Sequence, residues 1–399
     1  MQAPPGAPGP GHDTGANPGP TVTVRMGEGA AAVAGRRRRS PGHRGPGLSL
    51  CRHALGGTGG AVVMARALRL AARAAGRTAP NPMVGAVLVA AGRVVGEGYH
   101  HAAGQPHAEV LALRRAGERA RGATLHVTLE PCSHHGRTPP CADALIAAGV
   151  ARVVVAMADP DPRVAGRGLA RLRAAGLAVE VGEGEAEARA LNRWYVTSRT
   201  LGRPRVLYKW AAGLDGAVAG PGPVWLSSEA SRREVHRLRD RLDAVLVGAG
   251  TVLADDPRLT VRALRGRDPL RVVADRRAAT PPAARVLPAL ICVGAEAPPE
   301  RVRALARAGA EVVEAATPAA ILAALHARGC LGVLLEGGPT LAAAFLTAGL
   351  IDEVAAIVTP RLLGGGRPAF AAEGGAPLPL HGVRSRRVGD DLWITGELR

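Results

Sequence analysis

Three residues of metal-binding type occur in a telling order: His107, Cys132 and Cys141. Zinc held by three protein ligands keeps a fourth position open, where it lowers the pKa of bound water to about 7. Such a site also needs a carboxylate that is not a ligand, to carry the proton. Glu109 suits that role, because His107-Ala108-Glu109 opening a helix can put one group on the metal and the other beside its water. Both cysteines belong to a later strand-to-helix turn: Glu130-Pro131-Cys132 begins it, and Cys141 follows nine residues after Cys132. His134 and His135 lie between them and could compete as ligands; a polar loop over the site is the preferred reading.

A second group of residues suits a phosphorylated ligand. Glu336-Gly337-Gly338-Pro339-Thr340-Leu341 follows an apolar strand, Leu331 to Leu335. The two glycines allow close approach, Pro339 suits the first helical position, and the new helix offers free N–H groups to a phosphate. Val247-Gly248-Ala249-Gly250-Thr251-Val252 lacks the third glycine of a dinucleotide fingerprint and the acidic residue expected beyond it, so that reading is rejected. Lys209 stands out by composition, since the other 50 of the 51 basic residues are arginine. It lies in Val206-Leu207-Tyr208-Lys209-Trp210, among large apolar neighbours, where a compact ammonium does what a planar fork cannot.

The elements that position these residues follow from periodicity. Helices are expected at 64–75, 108–120, 142–148, 168–175 and 185–199. Strands are expected at 84–89, 94–99, 124–129, 152–156 and 178–181. Gly202-Arg203-Pro204 marks a boundary, after which strand 205–211, helix 228–241, strands 244–247 and 270–274, and the strand-rich 353–358 and 392–398 follow. This alternation predicts α/β domains with covered sheets. The chain therefore divides into a Gly/Pro/Arg-rich tail (1–63), a first domain (64–203) and a second (204–399). The tail has no hydrophobic period with which to offset ordering entropy, and translation starting near Met64 is an open alternative.

Composition narrows the class. The 399 residues are 47% hydrophobic and 2% aromatic, so the core is built from Ala, Val and Leu. No apolar run reaches the ~20 residues of a membrane helix, and five cysteines make no disulfide framework, which points to a reducing, cytoplasmic setting. The net charge of +18 is mostly arginine. It matches a coding bias toward Ala, Gly, Arg and Pro, so no nucleic-acid partner is expected.

His-x-Glu followed by Pro-Cys is the order of the zinc nucleobase deaminases. The stretch Thr128 to Cys141, with Pro80-Asn81-Pro82-Met83-Val84-Gly85 and Gly98-Tyr99-His100 upstream, resembles the bifunctional deaminase/reductase family of riboflavin biosynthesis. The resemblance runs from about Met64 to the C-terminus. It implies a cytidine-deaminase-like three-layer domain followed by a dihydrofolate-reductase-like α/β domain. It implies zinc on His107, Cys132 and Cys141, proton transfer by Glu109, and pyrimidine contact by Asn81. In the second half the matching landmarks are Lys209 with Leu214-Asp215-Gly216, Trp225 to Ser228, Thr251 to Pro257, Leu259 to Arg262 and the Glu336 cradle. They imply NADPH against Ala211, Trp225, Thr251, Asp255 and Gly338-Pro339-Thr340-Leu341-Ala342-Ala343-Ala344. They imply substrate on Lys209, Arg239, Leu259, Arg262 and Glu336.

The implied activity is deamination of a phosphoribosylated diaminopyrimidinone, then reduction of its ribosyl group to ribityl, in an assembly of identical chains. This chain departs from the family at Ala217, at Arg276 and in the shortened 220–224 loop. The alternative is a polynucleotide deaminase, tRNA-editing in type, with an unrelated C-terminal half; only nine aromatic residues argue against it.

Overall fold

The computed structural model describes residues 59–133, 140–219, 226–371 and 377–398. The expectations for residues 1–58, for His134 and His135, for Trp225 and for the 220–224 loop lie outside these residues.

The first domain contains α1 (Gly60–Ala71), β1 (Gly85–Ala90), β2 (Arg93–Tyr99), α2 (Ala108–Ala116), β3 (Thr124–Val127), α3 (Cys141–Ala147), β4 (Arg152–Val155), α4 (Arg167–Ala174), β5 (Ala178–Val181), α5 (Glu185–Leu191) and α6 (Arg193–Leu201). The strand order is β2-β1-β3-β4-β5. β1 runs antiparallel to β2 and β3, and β3, β4 and β5 are parallel. One face of the sheet buries Met64, Leu68, Val87 and Met157; the other buries Ala112, Leu125, Leu145 and Leu172.

Alanine and glycine set the layer spacing. A Cβ on Gly85 would stand 2.0 Å from Ala67 O on α1, and one on Gly96 would stand 2.2 Å from Ala112 O on α2. Helix backbones thus pack directly on the sheet, which is how a core with so few aromatics reaches native density.

Two boundaries differ from expectation. α1 begins at Gly60, not Met64, because the Val62 and Val63 N–H groups bond Gly59 O and Val63 is buried. The first domain therefore starts about four residues before the expected end of the tail. The expected helix 185–199 is two helices broken at Asn192, whose side chain bonds both Met83 N–H and Met83 O.

The second domain contains β6 (Arg205–Ala212), β7 (Ala217–Ala219), α7 (Glu229–Arg241), β8 (Ala244–Gly248), α8 (Ala249–Asp255), β9 (Leu270–Ala274), β10 (Leu290–Val293), α9 (Pro299–Arg307), β11 (Glu311–Glu314), α10 (Pro318–Ala327), β12 (Gly332–Leu335), α11 (Pro339–Thr347), β13 (Glu353–Val358), β14 (Arg367–Pro368), β15 (His381–Val388) and β16 (Asp391–Glu397). Its main sheet has the order β11-β10-β9-β8-β12-β6-β13-β16-β15, while β7 and β14 pair separately. β11 through β13 are parallel, and β16 and β15 close the edge antiparallel. Of the parallel strands, β8, β10 and β12 are continuous apolar runs, as burial on both faces requires. Leu207, Val245 and Leu334 face one core layer; Val206, Leu246 and Leu335 face the other.

Candidate active sites

His107 is the N-cap of α2 with an extended backbone, and Glu109 lies in the first turn. Cys132 follows the β3 turn, and Cys141 is the first residue of α3. His107 Nδ1 lies 3.2 Å from Cys141 Sγ and 3.6 Å from Cys132 Sγ. The Cys141 N–H donates to Cys132 Sγ at 3.3 Å. All three ligand atoms fall within 4.8 Å of one another. Ligands about 2.0–2.3 Å from a shared tetrahedral centre stand roughly 3.5 Å apart, so the donor set fits zinc in type and spacing.

Glu109 is 3% exposed. Burial pushes its carboxyl up to about 7, with the His107 ring opposing the rise. A hydrogen bond from Cys141, aided by His107, holds the Cys132 thiol well down against its burial, while the same bond and burial push Cys141 up.

A cavity of about 440 Å³ opens beside these groups, walled by Asn81, His100, His107, Glu109, Asp159 and Asp161 among others. Asn81 Nδ2 is 3.1 Å from His100 Nε2, and His100 Nδ1 is 3.3 Å from Pro106 O. Both contacts are made when His100 is neutral with its proton on Nδ1, and burial lowers its pKa accordingly.

Sequence reasoning missed three acidic groups here. Asp159 and Asp161 sit in the turn after β4; Tyr195 OH donates to Asp159 at 3.0 Å, and Arg163 forks onto Asp161. Glu130 is buried and accepts from the N–H groups of Asp159, Gly166, Gly168 and Leu169. It ties the cysteine turn to the start of α4. The signal available was an acidic residue directly before Pro131-Cys132. Glu130→Ala strands three buried donors and one half-buried donor, each buried one costing about 1–3 kcal/mol when unsatisfied. The expected result is several kcal/mol less stability in urea melts and weaker zinc retention against a chelator.

In the second domain, β6 and β12 are neighbours with Tyr208 opposite Leu335. The next residues, Lys209 and Glu336, therefore project together. Lys209 Nζ lies 3.5 Å from Glu336 Oε2. Arg239 on α7 places Nε 2.7 Å and Nη2 3.0 Å from the same carboxylate, a bidentate fork. Burial would raise Glu336, but Arg239 and Lys209 outweigh it and hold the carboxyl at about 2. Arg239 Nη1 also donates to Thr260 O, beside Leu259 at φ +54°. Arg262 is exposed; partial burial, together with Arg239, Arg285 and Arg258, lowers its pKa, so these cations share one neighbourhood.

The β8–α8 and β12–α11 turns face each other: a Cβ on Gly338 would stand 3.7 Å from Thr251 Oγ1. Pro339 opens α11 with Gly338 as its N-cap. Ala211 is half-buried on β6, and Asp255 is exposed at the end of α8. Thr340 and Ala344 are exposed, Leu341 is half-buried, and Ala342 and Ala343 are buried. The Ala342 N–H bonds Gly338 O within the helix.

Together these halves define a class: a zinc-deaminase pocket joined to a reductase with a nucleotide cradle. Residues 61–157 match the family described as the cytidine and deoxycytidylate deaminase zinc-binding region, and residues 204–394 match the RibD C-terminal domain. The riboflavin biosynthesis protein RibD of Escherichia coli is 46% identical over 327 residues, covering 75% of this chain and 88% of that protein. That of Mycobacterium tuberculosis is 48% identical over 299 residues, covering 73% and 82%. A solved structure of Acinetobacter baumannii RibD superposes with a TM-score of 0.79 at 40% identity, covering 85% of this chain and 98% of that one. A Thermotoga maritima structure described as a diaminohydroxyphosphoribosylaminopyrimidine deaminase/5-amino-6-(5-phosphoribosylamino)uracil reductase gives 0.76 at 35% identity, with the same coverage.

The chain belongs to the RibD family, the bifunctional deaminase/reductases of riboflavin biosynthesis. An unrelated C-terminal half, as in the polynucleotide-deaminase alternative, is overturned by the match over residues 204–394. Among the described residues no helix is long and apolar enough to cross a membrane.

Proposed function

We propose that the first domain deaminates 2,5-diamino-6-(5-phosphoribosylamino)pyrimidin-4-one and that the second reduces the ribosyl side chain of the product to ribityl. The observation that carries this reading is the buried Glu109 beside three metal-ligand atoms, on one chain with the Lys209–Glu336–Arg239 cluster.

His107, Cys132 and Cys141 would hold zinc. When bound, zinc supplies Lewis acidity and makes water acidic enough to react near neutral pH. Glu109, shielded from bulk water, takes a proton from the attacking water and delivers it to the departing amino group. Its pKa, lifted by burial, suits both transfers. Asn81, oriented by neutral His100, directs its amide at the pyrimidine edge.

In the second domain NADPH, when bound, supplies the reducing equivalents. Ala211, Trp225, Thr251, Asp255 and residues 338–344 form its bed in this reading. Glu336 fixes Arg239 and Lys209, so that one charged donor faces the phosphoribosyl group and the other the sugar oxygen. Arg262 and Leu259 complete the substrate wall. The protein works as a homo-oligomer in the cytoplasm and takes no nucleic acid; sedimentation tests the first of these.

The deciding measurement is NADPH oxidation by the full chain with the diamino substrate. A chelator that strips zinc should stop the coupled reaction and leave oxidation with the deaminated intermediate at the untreated rate. Persistence of the coupled reaction after zinc removal rules the assignment out.

A further inference from the structure

The turn that carries Asn81 belongs to the deaminase domain, yet much of its seat is the reductase domain. Arg77 Nη2 donates to Asp240 Oδ1 at 2.7 Å, and its Nη1 donates to Asp240 O at 3.0 Å and to Gly76 O at 3.1 Å. One guanidinium thus binds its own turn to the last turn of α7. Asp240 Oδ1 is fixed in addition by the Arg267 N–H at 2.8 Å. Gly76, at φ +73°, lies so close to α7 that a Cβ there would stand 2.5 Å from Asp240 O. On another side Gly329, in the α10–β12 turn, packs on the Pro80 ring, where a Cβ would stand 3.1 Å from Pro80 Cβ. From the deaminase domain itself, Arg199 Nη2 donates to Pro80 O at 3.0 Å. Within the turn, the Asn81 N–H closes on Thr78 O at 2.7 Å.

We infer that the reductase domain sets the deaminase pocket from outside it, with Arg77 and Asp240 as the positioning residues that aim Asn81 at the pyrimidine. The inference rests on the pyrimidine-binding role proposed above for Asn81. A turn held in place before substrate arrives spares the complex the entropy of ordering it, so the strut acts on binding. The chemical step at Glu109 does not depend on it. Asp240 also adjoins Arg239, whose fork holds Glu336, so a single helical turn serves both sites.

The test uses the zinc-loaded full chain. Arg77→Met and Asp240→Ala should each raise KM for the diamino substrate by ~10-fold, leave kcat within ~3-fold and leave bound zinc unchanged. Arg77→Lys, which keeps the charge and can keep one bond, should recover most of the KM. In an Asn81→Ala background, Arg77→Met should add less than ~2-fold, because both act through one contact. Arg77→Met should oxidise NADPH with the deaminated intermediate as the unmodified protein does, showing the reductase domain intact. A raised KM in Asn81→Ala with unchanged KM in both strut variants overturns the strut and leaves the role of Asn81 standing. An unchanged KM in Asn81→Ala overturns both. A loss confined to kcat, or full additivity with Asn81→Ala, also overturns the positioning role.

Discussion

Glu109→Gln should keep about one zinc per chain and lose deamination by ~10²–10⁴-fold or more. The amide has the shape of the carboxylate, so the first turn of α2 should be undisturbed. It cannot accept a proton from water and return it. Glu109 is 3% exposed, so bulk solvent cannot reach in to replace it. Metal retention is expected because His107, Cys132 and Cys141 bring their three ligand atoms together without Glu109. Metal analysis, a single-turnover deaminase assay and NADPH oxidation with the deaminated intermediate separate the possibilities. The reductase should be unaffected. Loss of zinc from the glutamine variant would make Glu109 a ligand and reverse the assigned roles.

Lys209→Arg should lower the reductase rate by ~10-fold or more, the ~1.4 kcal/mol of one misplaced charged hydrogen bond. Lys209→Met should lower it by ~10²-fold or more, the scale of a lost donor in a preorganised site. The geometry explains the difference. Arg239 already occupies both oxygens of Glu336, at 2.7 and 3.0 Å, so a second planar fork has no free carboxylate edge to match. An ammonium can share Oε2 from 3.5 Å and keep its other donors for a ligand. Glu336, held at about 2, stays ionised across the neutral range. Its folded pKa is depressed, so the stability it lends is present above the ordinary carboxylate range and is lost as pH falls toward 2. Steady-state NADPH oxidation with the deaminated intermediate decides the matter. Unmodified turnover and Michaelis constants in Lys209→Arg would leave the lone lysine an accident of composition.

Much of the first site was legible because its signals are local. His107 caps the helix that Glu109 enters, and Cys141 starts a helix, so ligand type and backbone position coincide within short segments. Glu130 was not legible in its role. Its partners lie 29 to 39 residues away and are backbone N–H groups that carry no side-chain signature. The break at Asn192 escaped periodicity for a related reason: helix propensity continues through it, and the partner that stops it is Met83, 109 residues earlier. Between strands β9 and β12, the strands β10 and β11 and the helices α9 and α10 were not read from the sequence.

By itself, the sequence determined the donor types of the metal-binding cluster, their order, the acid beside them and the α/β alternation. These follow from residue chemistry and from periods that repeat within one element. Only the tertiary structure decided which distant residues meet. Glu336 joins Lys209 across 127 positions and Arg239 across 97, because the sheet order sets β12 beside β6 in the middle of the sheet and α7 packs on one face of these strands. Arg77 meets Asp240 across 163 positions, through the packing of one domain on the other. Such contacts depend on strand order and domain seating, which arise from the burial of whole faces rather than from any short stretch of residues.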